Sequence, residues 1–190
     1  MRGFRRSLIG LFLIGATMSA PLAQEMKEGE EEFSAILTNI SNVGRTGLTP
    51  VNIHITRWTP DDENVRLLNI LRKDGQDAFL RALVDVKSVG WIATPTSLRY
   101  DFFYAHATGT KDGGRRILLI TDRPMQMWER IEASPTRDYP FTVVELRLDK
   151  NGMGSGTLAQ LVQLQLSGDV LGIENFASGP MKLNEVKRVK

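Results

Sequence analysis

Cysteine is absent from the 190 residues, and histidine occurs only at His54 and His106. The first absence excludes disulfides, thiol redox chemistry, thiolate metal sites and a lipid-modified cysteine. The second leaves too few ligands to expect a histidine-rich zinc site, since such sites gather about three or four nitrogen or sulfur donors. No Gly-x-Ser-x-Gly elbow, phosphate loop, dinucleotide fingerprint or metalloprotease helix occurs anywhere. Neither a cofactor nor a metal is therefore expected. Long apolar runs are missing after residue 23, so no transmembrane anchor is expected in the rest of the chain.

What is present begins with an address. Arg2, Arg5 and Arg6 precede the apolar run Leu8 to Ala16, which leads to the small-residue exit Ser19-Ala20-Pro21-Leu22-Ala23. A cationic start, a short apolar middle and small residues at the end form a signal peptide over residues 1–23. Arg5-Arg6 suggests a twin-arginine signal, but Phe4 precedes the pair and Gly10 stands where lysine is favoured, so ordinary export is expected. Removing the leader's three arginines from 24 basic residues leaves 21 against 22 acids, a net charge of −1. The basic balance of the whole chain therefore gives no reason to expect nucleic-acid binding.

Residues 24–32 are an acidic, aperiodic stretch and predict a flexible lead-in. Residues 33–190 are read as a single α+β domain. Strands are expected at Phe33–Ile40 and Val51–Arg57, the latter with Val51, Ile53 and Ile55 facing the core. Thr59-Pro60-Asp61-Asp62-Glu63 is a helix start, with Thr59 as cap and acids at the positive end of the dipole. Val65, Leu68 and Leu71 continue it, and Asp74-Gly75 breaks it. Phe79, Ala82, Leu83 and Val86 then predict a second helix, making a helical hairpin.

From Leu98 the period returns to two. Further strands are expected from Leu98 to His106, Arg115 to Thr121, Met125 to Ile131, Phe141 to Asp149, Leu158 to Leu166, Val170 to Phe176 and Met181 to Val186. Tight turns are expected at Lys111–Gly114 and at Asn151-Gly152. The sum is a mainly antiparallel set of about eight strands with an inserted helical hairpin. A strongly twisted sheet with the helices packed on one face fits this pattern, and a small barrel with a helical lid fits nearly as well.

Four groups of residues invite a chemical reading. Arg123, Glu129 and Asp138 lie in the densest polar and aromatic stretch, where paired carboxylates with an anion-holding arginine would suit hydrolysis. An ion pair pinning a connection between strands is the commoner use of such residues. Tyr100, Phe102 and Tyr104 alternate on one strand and could form the apolar wall of a ligand cavity, although packing against the helices explains the same period. Either histidine could be a general base, but each needs a partner within reach. Asp149 to Gly154 opens like a calcium loop, yet Met153 replaces an oxygen ligand and Gln160 stands where a bidentate glutamate is needed, so a glycine-rich hairpin is expected.

The runs Arg115 to Pro124, Asp138 to Asp149 and Asn151-Gly152-x-Gly154 resemble a group of uncharacterised exported bacterial proteins. The resemblance covers most of the mature chain and implies a bacterial source, a periplasmic or secreted product, and no particular activity. The expectation is an exported soluble protein acting as a non-enzymatic ligand-binding or accessory module of the cell envelope. Its partner would be a small apolar ligand, entering between helices and sheet, or an envelope protein. The alternative is a hydrolase-like enzyme using the paired carboxylates.

Overall fold

The computed structural model describes residues 29–39, 47–123, 139–167, 170–175 and 179–190. The expected leader, most of the expected acidic lead-in, the expected strand at 125–131, and the candidates Glu129 and Asp138 lie outside the described residues.

Ten strands and one helix are present among the described residues. The strands are β1 (Glu31–Asn39), β2 (Gly47–Ile55), β3 (Gly90–Ala93), β4 (Tyr100–Phe102), β5 (Tyr104–Gly109), β6 (Arg115–Ile120), β7 (Phe141–Leu148), β8 (Met153–Ser167), β9 (Val170–Asn175) and β10 (Met181–Arg188). The helix is α1 (Asp61–Val84), inserted between β2 and β3.

Neighbouring strands are antiparallel and run in the order β4-β3-β2-β1-β10-β8-β7-β6-β5, with β9 attached to β8. The two ends of this path, β4 and β5, are consecutive in the chain and separated only by Phe103. One bent segment thus pairs with β3 through its first half and with β6 through its second, and the sheet curls into a nearly closed barrel. The open twisted-sheet alternative is displaced for a physical reason: the bent β4–β5 segment covers both β3 and β6, so neither is left as a free edge.

Strand alternation sorts the barrel into an inside and an outside. Phe33, Leu37, Ile53, Ile55, Ile92, Phe102, Ile117, Leu119, Val144, Leu146, Leu158 and Leu183 are among the buried residues of the inner cluster. A barrel of roughly this strand number has an interior that its own side chains fill. A second apolar cluster lies on the outer wall, where α1 packs against β5 to β8.

The expected helical hairpin is a single helix. Gly75 interrupts it with φ 79° and ψ −178°, but the chain kinks instead of turning back. A reversal needs a connecting loop of about 2–5 residues, and one glycine cannot supply it. Leu67 and Leu71 before the kink and Phe79 and Leu83 after it bury against the same wall. Each such side chain gains roughly 1.5–3 kcal/mol by leaving water, which favours one continuous buried stripe over two opposed helices.

Three smaller expectations are also revised. Thr59 does not cap the helix: Pro60 is the N-cap residue and makes no side-chain cap. The Thr59 hydroxyl instead accepts a hydrogen bond from the Ala105 amide at 2.9 Å, while the Thr59 amide donates to the Ala105 carbonyl at 2.9 Å. This pins the start of α1 to β5. Val65 is exposed, not packed. β1 begins at Glu31, so two acids assigned to the lead-in belong to the barrel. Both turn expectations hold, with Gly113 at φ 82° and Gly152 at φ 76° supplying left-handed conformations that a side chain would resist.

Candidate functional site

The expected aromatic wall is divided between two cores. Phe102 is buried inside the barrel and Tyr100 packs against that cluster, whereas Tyr104 joins the outer cluster beneath α1. The break at Phe103 shifts the alternation, so that Tyr104 faces out and Ala105 faces in. The Tyr104 hydroxyl donates to Asn64 Oδ1 at 2.7 Å, and burial raises its pKa far above the ordinary phenol value. The seam between helix and barrel, where an apolar ligand was expected, is filled by side chains such as Leu67, Phe79, Phe141 and Val162.

Arg123 is the one member of the expected carboxylate site that is described. Its side chain is 59% exposed and lies 3.9 Å from Asp122. The adjoining Thr121 hydroxyl donates to the Arg123 carbonyl at 2.5 Å and accepts from the Thr142 amide at 3.2 Å, tying the end of β6 to β7. His54 stacks on Trp91 at 5.3 Å, and the Arg99 guanidinium lies 4.2 Å over the same indole. The calcium-like segment is a hairpin: the Asp149 carboxylate accepts from the Asn151 and Met153 amides at 2.8 and 3.0 Å. Among the described residues no group of three or more His, Asp or Glu is placed to hold a metal ion.

The register of β5 to β8 builds a different site. Three rows cross these four strands on the outer wall. The first, Tyr104–Ile120–Val143–Ala159, is apolar, buried and covered by α1. The second, His106–Leu118–Glu145–Thr157, lies at the edge of the helix. The third, Thr108–Arg116–Arg147–Ser155, is bare of it and solvent-exposed. The wall thus passes from hydrocarbon to guanidinium and hydroxyl over three rows.

Glu145 organises the lower part of this wall. Its carboxylate accepts from Arg116 at 2.6 Å and from Arg147 at 2.6 Å. Burial alone would raise its pKa, but the bonds from the two arginines outweigh that and hold it below the ordinary glutamate range. The Arg116 and Arg147 side chains are 49% and 74% exposed. Beside the third row, an open cleft of about 710 Å³ runs between the β5–β6 and β7–β8 turns, lined by Thr110, Arg115, Arg116, Arg147, Met153 and Ser155 among others.

The barrel mouth next to the cleft is closed by an inward-facing ion pair. Arg115 binds Glu31 through both guanidinium arms, one at 2.7 Å, joining β6 to β1 across the opening. Arg188 approaches the same carboxylate at 3.8 Å. The Arg115 guanidinium also lies 5.7 Å from the Phe33 ring and 6.0 Å from the Trp58 ring.

Sequence reasoning passed over Glu31, Arg116, Glu145 and Arg147. Alternation back from Phe33 would have turned Glu31 inward, since Phe33, Ala35 and Leu37 share that face. The facing of Arg116 and Arg147 had no local signal, because β6 and β7 are not joined by a tight turn that sets their register. Among the described residues no helix is long and apolar enough to cross a membrane. No protein-family model, curated protein or solved structure matches the chain.

Proposed function

We propose that this chain is an exported, non-enzymatic accessory module of a bacterial cell envelope that binds through the outer wall formed by β5 to β8. Residues 1–23 are its address, and the working protein starts at Gln24 and resides in the periplasm or is secreted. The partner is an envelope component presented to that wall, not a small apolar ligand held in an internal cavity.

One observation carries this reading. Apolar side chains fill both the barrel interior and the helix seam, while the lower half of the same wall is left bare, polar and rich in donors. Among the described residues the inward and helix-facing positions are taken up by packed apolar side chains, which leaves the polar wall as the surface for recognition. The conformational rigidity of a packed barrel suits that use, since little ordering entropy is lost when a preformed surface binds.

The test is to produce the full chain in a bacterial host, release the periplasm by osmotic shock and measure the intact mass. Protein beginning at Gln24 in the shock fluid is the expected result. Full-length protein retained in the cytosol would overturn the reading.

A further inference from the structure

We propose that the exposed row Thr108–Arg116–Arg147–Ser155 is a binding site for a phosphate-type oxyanion, seated between the two guanidiniums with a hydroxyl on either side. The inference rests on the reading of the β5–β8 wall as the binding surface and names what that surface recognises.

The argument starts from a cost. Arg116 and Arg147 are direct partners on adjacent antiparallel strands. Like charges directly opposite each other on adjacent strands are destabilising. Glu145, one row away, relieves the repulsion by accepting from both. It carries one negative charge against two positive ones, so the row keeps an excess positive charge at the surface.

Donor geometry favours an anion. Each guanidinium offers five N–H donors, and among the described residues each commits one to Glu145. Their remaining donors belong to planar forks that match the oxygens of phosphate better than an ammonium would. Thr108 pairs with Arg116 and Ser155 with Arg147, so a hydroxyl flanks each end of the row. Glu145 holds both arginines in place beforehand, which reduces what binding must spend on ordering long side chains.

Local charge also positions the ligand. Asp112 and Asp149 line the turn side of the cleft, where the first is engaged with Thr110 and Gly114 and the second with Asn151 and Met153. Their charges repel an oxyanion from the turns and confine it to the arginine row. Arg115, although it lines the cleft, faces inward and is committed to Glu31.

Phosphate on a soluble metabolite and phosphate in a lipid headgroup present the same chemistry, and the experiment separates them. Purified protein is titrated calorimetrically with inorganic phosphate at constant ionic strength, with chloride as the control anion. It is also sedimented with vesicles of phosphatidylglycerol and, in parallel, of phosphatidylcholine. The expected result is saturable phosphate binding that falls at least tenfold in Arg147→Gln and is lost in Arg116→Gln/Arg147→Gln. Pelleting with phosphatidylglycerol alone, lost in the same double variant, identifies a lipid headgroup; soluble binding without pelleting identifies a soluble phosphate compound.

Should the double variant fail to fold, Arg116→Lys/Arg147→Lys keeps the charge and removes the forks, and at least threefold weaker binding is expected. Failure of both phosphate and phosphatidylglycerol to bind the unmodified protein, or equal binding by a folded double variant, would overturn the inference. Protein processed at Gln24 and found in the periplasm would still uphold the export reading in that case, so the two failures are distinguishable.

Discussion

Glu31 and Arg115 face each other inside the barrel mouth with side chains only 10% and 16% exposed. Burying two charges is costly, and their attraction offsets the cost only while both are present and well bonded. Removing one therefore does more harm than removing both. Arg115→Met is expected to lower stability by roughly 3–5 kcal/mol, because the Glu31 carboxylate loses its main partner. Arg115→Met/Glu31→Leu is expected to recover most of that loss, since apolar replacements at buried pairs are often neutral or stabilising. Urea denaturation of both singles and the double checks this, and simple additivity of the two single effects would contradict it.

Among the elements, α1 shows how one residue alters a helix without ending it. Gly75 sits at φ 79°, and nothing lies within 4 Å of the position a Cβ would take. Gly75→Ala therefore meets no steric clash but must adopt a positive-φ, extended-ψ backbone that is essentially restricted to glycine, at a cost of about 1–3 kcal/mol. Either the helix retains its kink and loses that stability, or it straightens and pulls Leu71 and Phe79 out of their shared cluster. A lowered thermal midpoint is expected in both cases; an unchanged or raised midpoint would show that the kink is not set by Gly75.

β8 bends by a comparable device. Leu161 has φ 49°, and the β7–β8 register slips between Phe141 and Val143. One extra residue in a strand reverses the alternation beyond it. Leu158 is accordingly inside the barrel, while Ala159, Val162 and Leu164 all belong to the cluster under the helix. The second half of β8 then leaves the barrel to pair with β9.

For the molecule as a whole, two shifted groups give acid a definite direction. Burial lowers the pKa of His106, and the charge of Asp61 opposes that only in part. The folded protein resists protonating this ring, so its contribution is complete above the unfolded value of 6.5 and is lost as pH falls from there through the lowered folded value. The Glu145 carboxyl, held low by Arg116 and Arg147 against its burial, contributes above the ordinary glutamate range and is lost further into acid. Stability is thus expected to fall in two stages on acidification. Urea midpoints measured from neutral to acidic pH should show His106→Gln flattening the first stage and Glu145→Gln the second. Profiles that superimpose on the unmodified protein would contradict both assignments.

Local pattern alone determined the strand positions at β1, β6, β7, β9 and β10, the second half of β2, the two glycine turns and the buried positions Leu71, Phe79 and Leu83 of α1. Each depends on neighbours a few residues apart, where side-chain period and backbone freedom act directly. The short β3 strand (Gly90–Ala93) has too little length to show a period, and went unread. Tertiary structure decided barrel over sheet, one helix over two, and the separation of Tyr104 from Phe102, because each depends on where a bend or bulge lets a strand meet its partner. It also decided the candidate site. Thr108, Arg116, Arg147 and Ser155 lie in one row only because four strands adopt a particular register, a property of the closed sheet that no single stretch of chain contains.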